Sequence, residues 1–196
     1  MPAITVDTSA GSYGPGYLFW APLSTAEPAN TVVGSVFTDA WPGAWIPLGA
    51  TLEGNELETA IETDRAYVAE YLDSVKTVTT TRTTTISFSL YDTTLQNYKR
   101  AMNGGTIATV SGAGTTLLSS FVPVQAGLEV RAMVGWEATD NTERAILYQC
   151  LQIGAVTERR RKGADYNVFP CQFTTEVPTS GISIKRYTAG TVRLGV

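Results

Sequence analysis

The sequence predicts a mainly β protein, a β-sandwich or barrel with one short flanking α-helix. Three observations lead there. Eight or so short runs either alternate apolar and polar residues or are apolar throughout, and turn-forming residues separate them. One stretch alone, 81–105, passes from the two-residue period of a strand to the helical period. Finally, 196 residues that are 43% hydrophobic and only 16% charged suffice for one sizeable core, so residues 1–196 are expected to form a single domain.

Residues 1–45 are rich in Gly, Pro, Ala and Thr, with a short strand predicted at 16–21 (GYLFWA) and little periodicity after it. They read as an N-terminal arm plus an irregular loop. Trp41 and Trp45, in DAWPGAW, are expected to cap the core or plug a subunit contact. Flat rings on a loop also admit a carbohydrate-stacking reading. Further on, Leu57, Thr59 and Ile61 alternate with Glu56, Glu58, Ala60 and Glu62, which puts three carboxylates on one strand face. Side by side, with no apolar pocket to separate their pKa values, they do not make a glycosidase acid–base pair. A solvated face is expected, or an acidic surface that avoids holding a polyanion.

In 81–105, Ile86, Phe88 and Leu90 alternate with Ser87 and Ser89, and Thr81, Thr83 and Thr85 extend the polar face backwards. Asp92 or Thr93 is placed to cap a helix carrying Leu95, Tyr98, Ala101 and Met102 on one side. Gly104 is the expected left-handed stop, with Lys99 and Arg100 near the negative end of the helix dipole. Segments 106–110 and 115–118 form a predicted hairpin, since the glycine cluster around Gly112 and Gly114 leads into no helix that could cradle a phosphate. In 128–137, Leu128, Val130, Ala132, Val134 and Trp136 lie on one face, with Glu129, Arg131 and Glu137 on the other. Segment 145–153 (AILYQCLQI) is apolar on both faces, as a central strand would be. Then comes TERRRKGAD, a basic loop. In 168–177, Phe169, Cys171, Phe173 and Val177 oppose Gln172, Thr174 and Glu176, and Pro170 marks the strand's beginning as an edge or bulge. Residues 178–196 read as a C-terminal tail with short strands at 182–186 and 192–194.

Chemistry is excluded more firmly than it is suggested. With no histidine, neither a Ser-His-Asp nor a Cys-His pair can form, and common zinc and non-haem iron sites lose their usual ligand. Neither GxxxxGK[ST] nor GxGxxG occurs. No catalytic residue, cofactor or metal is therefore expected. Cys150 and Cys171 lie among apolar neighbours and read as buried free thiols, with a disulfide open if their strands are adjacent. There is no apolar run of about 18 residues and no signal-like start, so a soluble chain made in the cytoplasm of its cell, without a membrane partner, is expected.

Charge is uneven. Residues 1–80 hold ten carboxylates against Arg65 and Lys76, whereas 81–196 hold twelve basic and eight acidic side chains. A dipolar subunit of this kind suits head-to-tail self-association, with Arg159, Arg160, Arg161 and Lys162 meeting an acidic patch on the next copy. A solvated hairpin tip and a phosphate-binding patch are the other readings of these four residues.

Three motifs in order, WIPLGATLEGNELE, then TTTISFSLYDTTLQNYKRAMNGG, then NVFPCQFTTEV after RRRKGAD, together resemble the major tail protein, or tail tube protein, of long-tailed bacteriophages with non-contractile tails. The resemblance covers about 45–177. It implies the phage tail tube fold, hexameric rings joined edge to edge, and rings stacked into a hollow tube through which the genome leaves the virion. It implies a place in the virion tail, synthesis in a bacterial host, and tail partners such as tape measure and tail terminator proteins. Under this reading double-stranded DNA passes without specific binding, Glu56, Glu58 and Glu62 are candidate lumen residues, Arg159 to Lys162 candidate ring-stacking residues, and Trp41 and Trp45 candidate interface aromatics. The hydroxyl face of 81–89 is a second candidate lining. A monomeric carbohydrate-binding adhesin module that uses the two loop tryptophans is the alternative.

Overall fold

The computed structural model describes residues 16–67, 73–111, 117–158 and 168–189. It is mainly β with one short helix: β1 (Tyr17–Pro22), β2 (Val32–Val33), β3 (Val36–Phe37), β4 (Ile46–Pro47), β5 (Thr51–Ala66), β6 (Lys76–Leu90), α1 (Leu95–Ala101), β7 (Thr106–Ser111), β8 (Leu117–Val122), β9 (Ala132–Glu137), β10 (Glu143–Gln152), β11 (Phe169–Thr175) and β12 (Ile184–Thr188). One antiparallel sheet runs β4-β1-β9-β10-β11-β6-β5, and β2-β3 and β7-β8 are separate two-stranded pieces. β10 has three partners. Along one edge it pairs with β9; along the other, β12 takes Glu143–Leu147 and β11 takes Cys150–Gln152, with a register shift in the β9 pairing between Leu147 and Cys150. The sheet therefore forks at β10.

The two sides of the sheet are covered differently. On the helix side, Leu18, Val134, Leu147, Cys150, Phe173, Ile86, Phe88 and Leu90 form the main core under Ala101 and Tyr98 of α1. Phe88 and Phe173 stack with centroids 5.9 Å apart, and Tyr98 touches both Phe169 and Phe121, the latter bringing the β7–β8 hairpin in. On the other side a second cluster, Ala21, Met133, Ile146 and Trp45 with Phe19, Trp41 and Tyr148, lies under the irregular segment 23–45. Residues 16–45 are thus part of the domain and not an arm: β1 sits within the sheet, and segment 23–45 forms a cover over it.

Several details depart from the expected ones. The helix cap is Thr94, whose hydroxyl accepts from the Asn97 N–H at 3.3 Å, and not Asp92 or Thr93. Asp92 stays outside, its carbonyl taken by the Asn97 side chain. The left-handed residue is Asn103, φ +55°, with Gly104 following at +121°. β9 begins only at Ala132, and Leu128 and Val130 are exposed. Both faces of β9 are buried, so Glu137, expected to face solvent, is inside. Pro170 is paired with Ser89 of β6, but β10 reaches only Phe173 to Thr175, so β11 begins without a partner on its other side, as the proline requires. Cys150 and Cys171 are free and buried, and burial pushes each thiol up to about 12, which keeps them protonated and unreactive.

Candidate functional site

β5 and β6 pair along almost their full length, but only their proximal halves belong to the packed sheet. The helix-side row Phe88, Ile86, Thr84 is buried, and Thr84 is its last member. Beyond it Ile61 and Arg82, opposite each other in register, are both exposed. From there to Ala66 and Lys76 the two strands form a ribbon exposed on both faces among the described residues. Nothing in that half forms a core, so the ribbon is held by its own ladder hydrogen bonds and by local bonds such as Thr80 Oγ1 to Glu62 O, 3.2 Å.

The carboxylates and hydroxyls meet on this unit. Residues directly opposite in an antiparallel pair share a face. Glu56 lies opposite Ser87, Glu58 opposite Thr85 and Glu62 opposite Thr81, and the row continues into β11 as Ser87 opposite Gln172 and Thr85 opposite Thr174. The acidic face of one strand and the hydroxyl face of the other, read from the sequence as competing candidates, are therefore one surface. Glu56, Glu58 and Glu62 are all exposed on it, with Ser87, Thr85 and Thr174 half-buried between β5 and β11. It occupies the side of the sheet that segment 23–45 covers farther along, at β1, β9 and β10. The groove along it, about 440 Å³, is lined by Glu53, Glu56, Ser87, Ser89, Pro170 and Gln172.

Trp41 and Trp45 lie in that cover. Trp45 is buried and donates its indole N–H to Ala26 O at 2.8 Å. Trp41 stacks on Phe19 at 4.4 Å, touches Trp45 at 4.8 Å and donates to Glu137 Oε2 at 2.6 Å. Both rings are used inside the chain to cap the sheet. The Arg159 to Lys162 loop lies outside the described residues.

Two anchors hold the cover in place. Arg144, 2% exposed, pairs with Glu137 at 2.7 Å, reaches Asn30 Oδ1 at 3.2 Å and the Asp39 carbonyl, and lies 4.7 Å from the Phe37 ring centroid. At the other end Glu27 accepts from the Tyr148 hydroxyl at 2.7 Å, from Lys185 Nζ at 2.9 Å and from the Tyr187 hydroxyl. Burial raises the Glu27 carboxyl, but the Tyr187, Tyr148 and Lys185 donors together outweigh it and leave the group below its ordinary 4.5. A depressed carboxylate contributes stability above its unfolded value that is lost as pH falls through the folded one. Glu27→Gln should accordingly lower stability by about 1–2 kcal/mol at pH 7 and by almost nothing at pH 3, read from urea unfolding at both pH values.

Sequence reasoning missed Asn97, Asn103 and Arg144. Asn97 is buried, donates to Leu48 O and Asp92 O at 3.0 Å each, and accepts from Arg100 at 2.6 Å. Asn103 exchanges two 2.8 Å bonds with the Gln152 backbone and so fastens the helix end to β10. Polar residues inside an otherwise apolar pattern were the only signal. Among the described residues no group of three or more His, Cys, Asp or Glu is placed to hold a metal ion, and no described helix is long and apolar enough to cross a membrane. No protein-family model matches this chain, and a search of curated proteins finds no match either.

Proposed function

We propose that this chain is a structural subunit that self-assembles, its copies joining through sheet edges into hexameric rings that stack into a hollow tube, with the Glu56, Glu58, Glu62 surface turned toward a lumen that passes double-stranded DNA. This is the tail tube reading, and it places the protein in a virion tail. The observation that carries it is the ribbon: nine residues of β5, from Glu58 on, extend beyond the packed core with carboxylates on their open face. A monomer gains little from such an extension, since two strands alone are marginal in water. Association with neighbouring copies would cover it.

The electrostatics support the lumen assignment. DNA affinity comes mainly from neutralised phosphates, so a wall bearing carboxylates and short hydroxyls repels the duplex and lets it slide. Electron microscopy of the purified protein tests the assembly, with rings or long hollow filaments expected and a persistent monomer counting against it. The lumen assignment has its own test. Replacing Glu56, Glu58 and Glu62 together by lysine should leave tubes intact and slow DNA ejection at least tenfold, and an unchanged ejection rate would remove it. The adhesin reading loses its two tryptophans to the interior.

A further inference from the structure

The ribbon leaves one end of the sheet, at β5. At the opposite end, on the helix side, a groove of about 420 Å³ lies between α1 and the β1–β4 edge. Its walls are Trp20, Ile46 and Val130, its floor reaches Phe173, and Lys99 and Arg100 stand on its rim. Ile46 is 38% exposed and Val130 53%, so the apolar walls are wet in the isolated chain. The rim is cationic without a compensating carboxylate. Arg100 lies over the Trp20 ring at 5.4 Å and donates to Asn97, and among the described residues neither cation is in an ion pair. Burial pushes the Arg100 guanidinium down from its ordinary value, against the pull of Asp92. An approaching carboxylate would relieve that cost.

The ribbon offers the complement. Asp64 and Val78 are direct cross-strand partners, so one exposed aliphatic side chain and one exposed carboxylate share a face near its end. Glu62 lies two residues from Asp64 on the same strand, across the register shift, and Val75 is exposed beyond Val78.

We infer that the groove between α1 and β4 receives the ribbon of a second copy of this chain, Val78 against Trp20 and Ile46 and the Asp64 carboxylate against Lys99 and Arg100. This rests on the self-assembly reading and names the surfaces that carry it. Each copy has one ribbon and one groove at opposite ends of its sheet, so the contact is head-to-tail and propagates from copy to copy. An apolar centre with a charged rim is the usual anatomy of such a contact, and the charge pair fixes the register more than it adds affinity.

Charge exchange tests this. Asp64 is exposed and Lys99 half-buried, with no described ion pair to lose, so Asp64→Lys and Lys99→Asp should fold as the wild type does, checked by circular dichroism. Each variant alone should need at least tenfold more protein to assemble, in sedimentation velocity and electron microscopy. Mixed in equal amounts the two should assemble again, because each ribbon then finds an opposite charge only in the other variant's groove. The double variant should assemble alone. If the wild type forms tubes and both single variants do so equally well, or if neither the mixture nor the double variant recovers, the groove is not the ribbon's receptor although self-assembly stands. A wild type that stays monomeric at high concentration overturns both.

Discussion

Replacing Arg144 by leucine is expected to cost about 3–5 kcal/mol of folding stability, the largest effect of any single change proposed for this chain. The guanidinium is almost wholly out of water and its charge is answered by Glu137, itself 6% exposed. Removing the cation leaves a carboxylate in the interior that must either stay charged in a poor solvent or take up a proton. It also frees the Asn30 and Asp39 acceptors, so the 30–39 part of the cover loses its tether. The cost is not the worth of the pair, because a buried ion pair can often be exchanged for neutral groups with little loss. Arg144→Leu with Glu137→Gln should therefore recover more than half of the deficit: the amide oxygen still accepts from Trp41, but no charge is stranded. Equilibrium urea unfolding at pH 7 measures both, and a loss under about 1 kcal/mol for Arg144→Leu would contradict this account of the anchor.

A second large effect is expected at Gly135. A Cβ there would stand 2.5 Å from two atoms of the Trp41 ring and 3.0 Å from Trp45, distances at which the rings must move. Gly135→Val should expel Trp41 from its stack on Phe19, break the Trp41–Glu137 bond and cost on the order of 1–3 kcal/mol from overpacking, more if the cover detaches. The readout is a red-shifted tryptophan emission in the native state together with a lower unfolding midpoint. Emission like that of the wild type would mean that the site accommodates the side chain by a backbone shift instead.

These two positions also show where the sequence was informative and where it was not. Strands that are apolar on one face, such as β6 and β11, were legible because burial writes a two-residue period into Ile86, Phe88, Leu90 and Phe169, Cys171, Phe173. β10 was legible as a central strand because both of its faces are apolar. β9 was half legible. Its Val134 face alternated as expected, but Met133, Gly135 and Glu137 are covered by an irregular segment, and a cover without periodicity leaves no pattern to read. The signal that was present is Gly135 itself, a strand-interior glycine that marks close approach by another group. The ribbon was hidden for the opposite reason. From Glu62 to Ala66 and from Lys76 to Thr80 no core selects one face, so only the backbone pairing defines the strand. The carboxylate alternation was plain, but its alignment with Ser87, Thr85 and Thr81 depends on a cross-strand register that one strand's sequence does not contain.

The fork at β10 has a mechanical consequence. A pull on the ribbon travels through β6 and β11 and loads only the Cys150 to Gln152 half of β10, whereas the Glu143 to Leu147 half is gripped by β12 and, through Glu27, by Lys185 and Tyr187. Strain entering at one leaf is thus shed at the split before it reaches the other, and the subunit can yield at its outer strands while the leaf that holds the tryptophans keeps its shape.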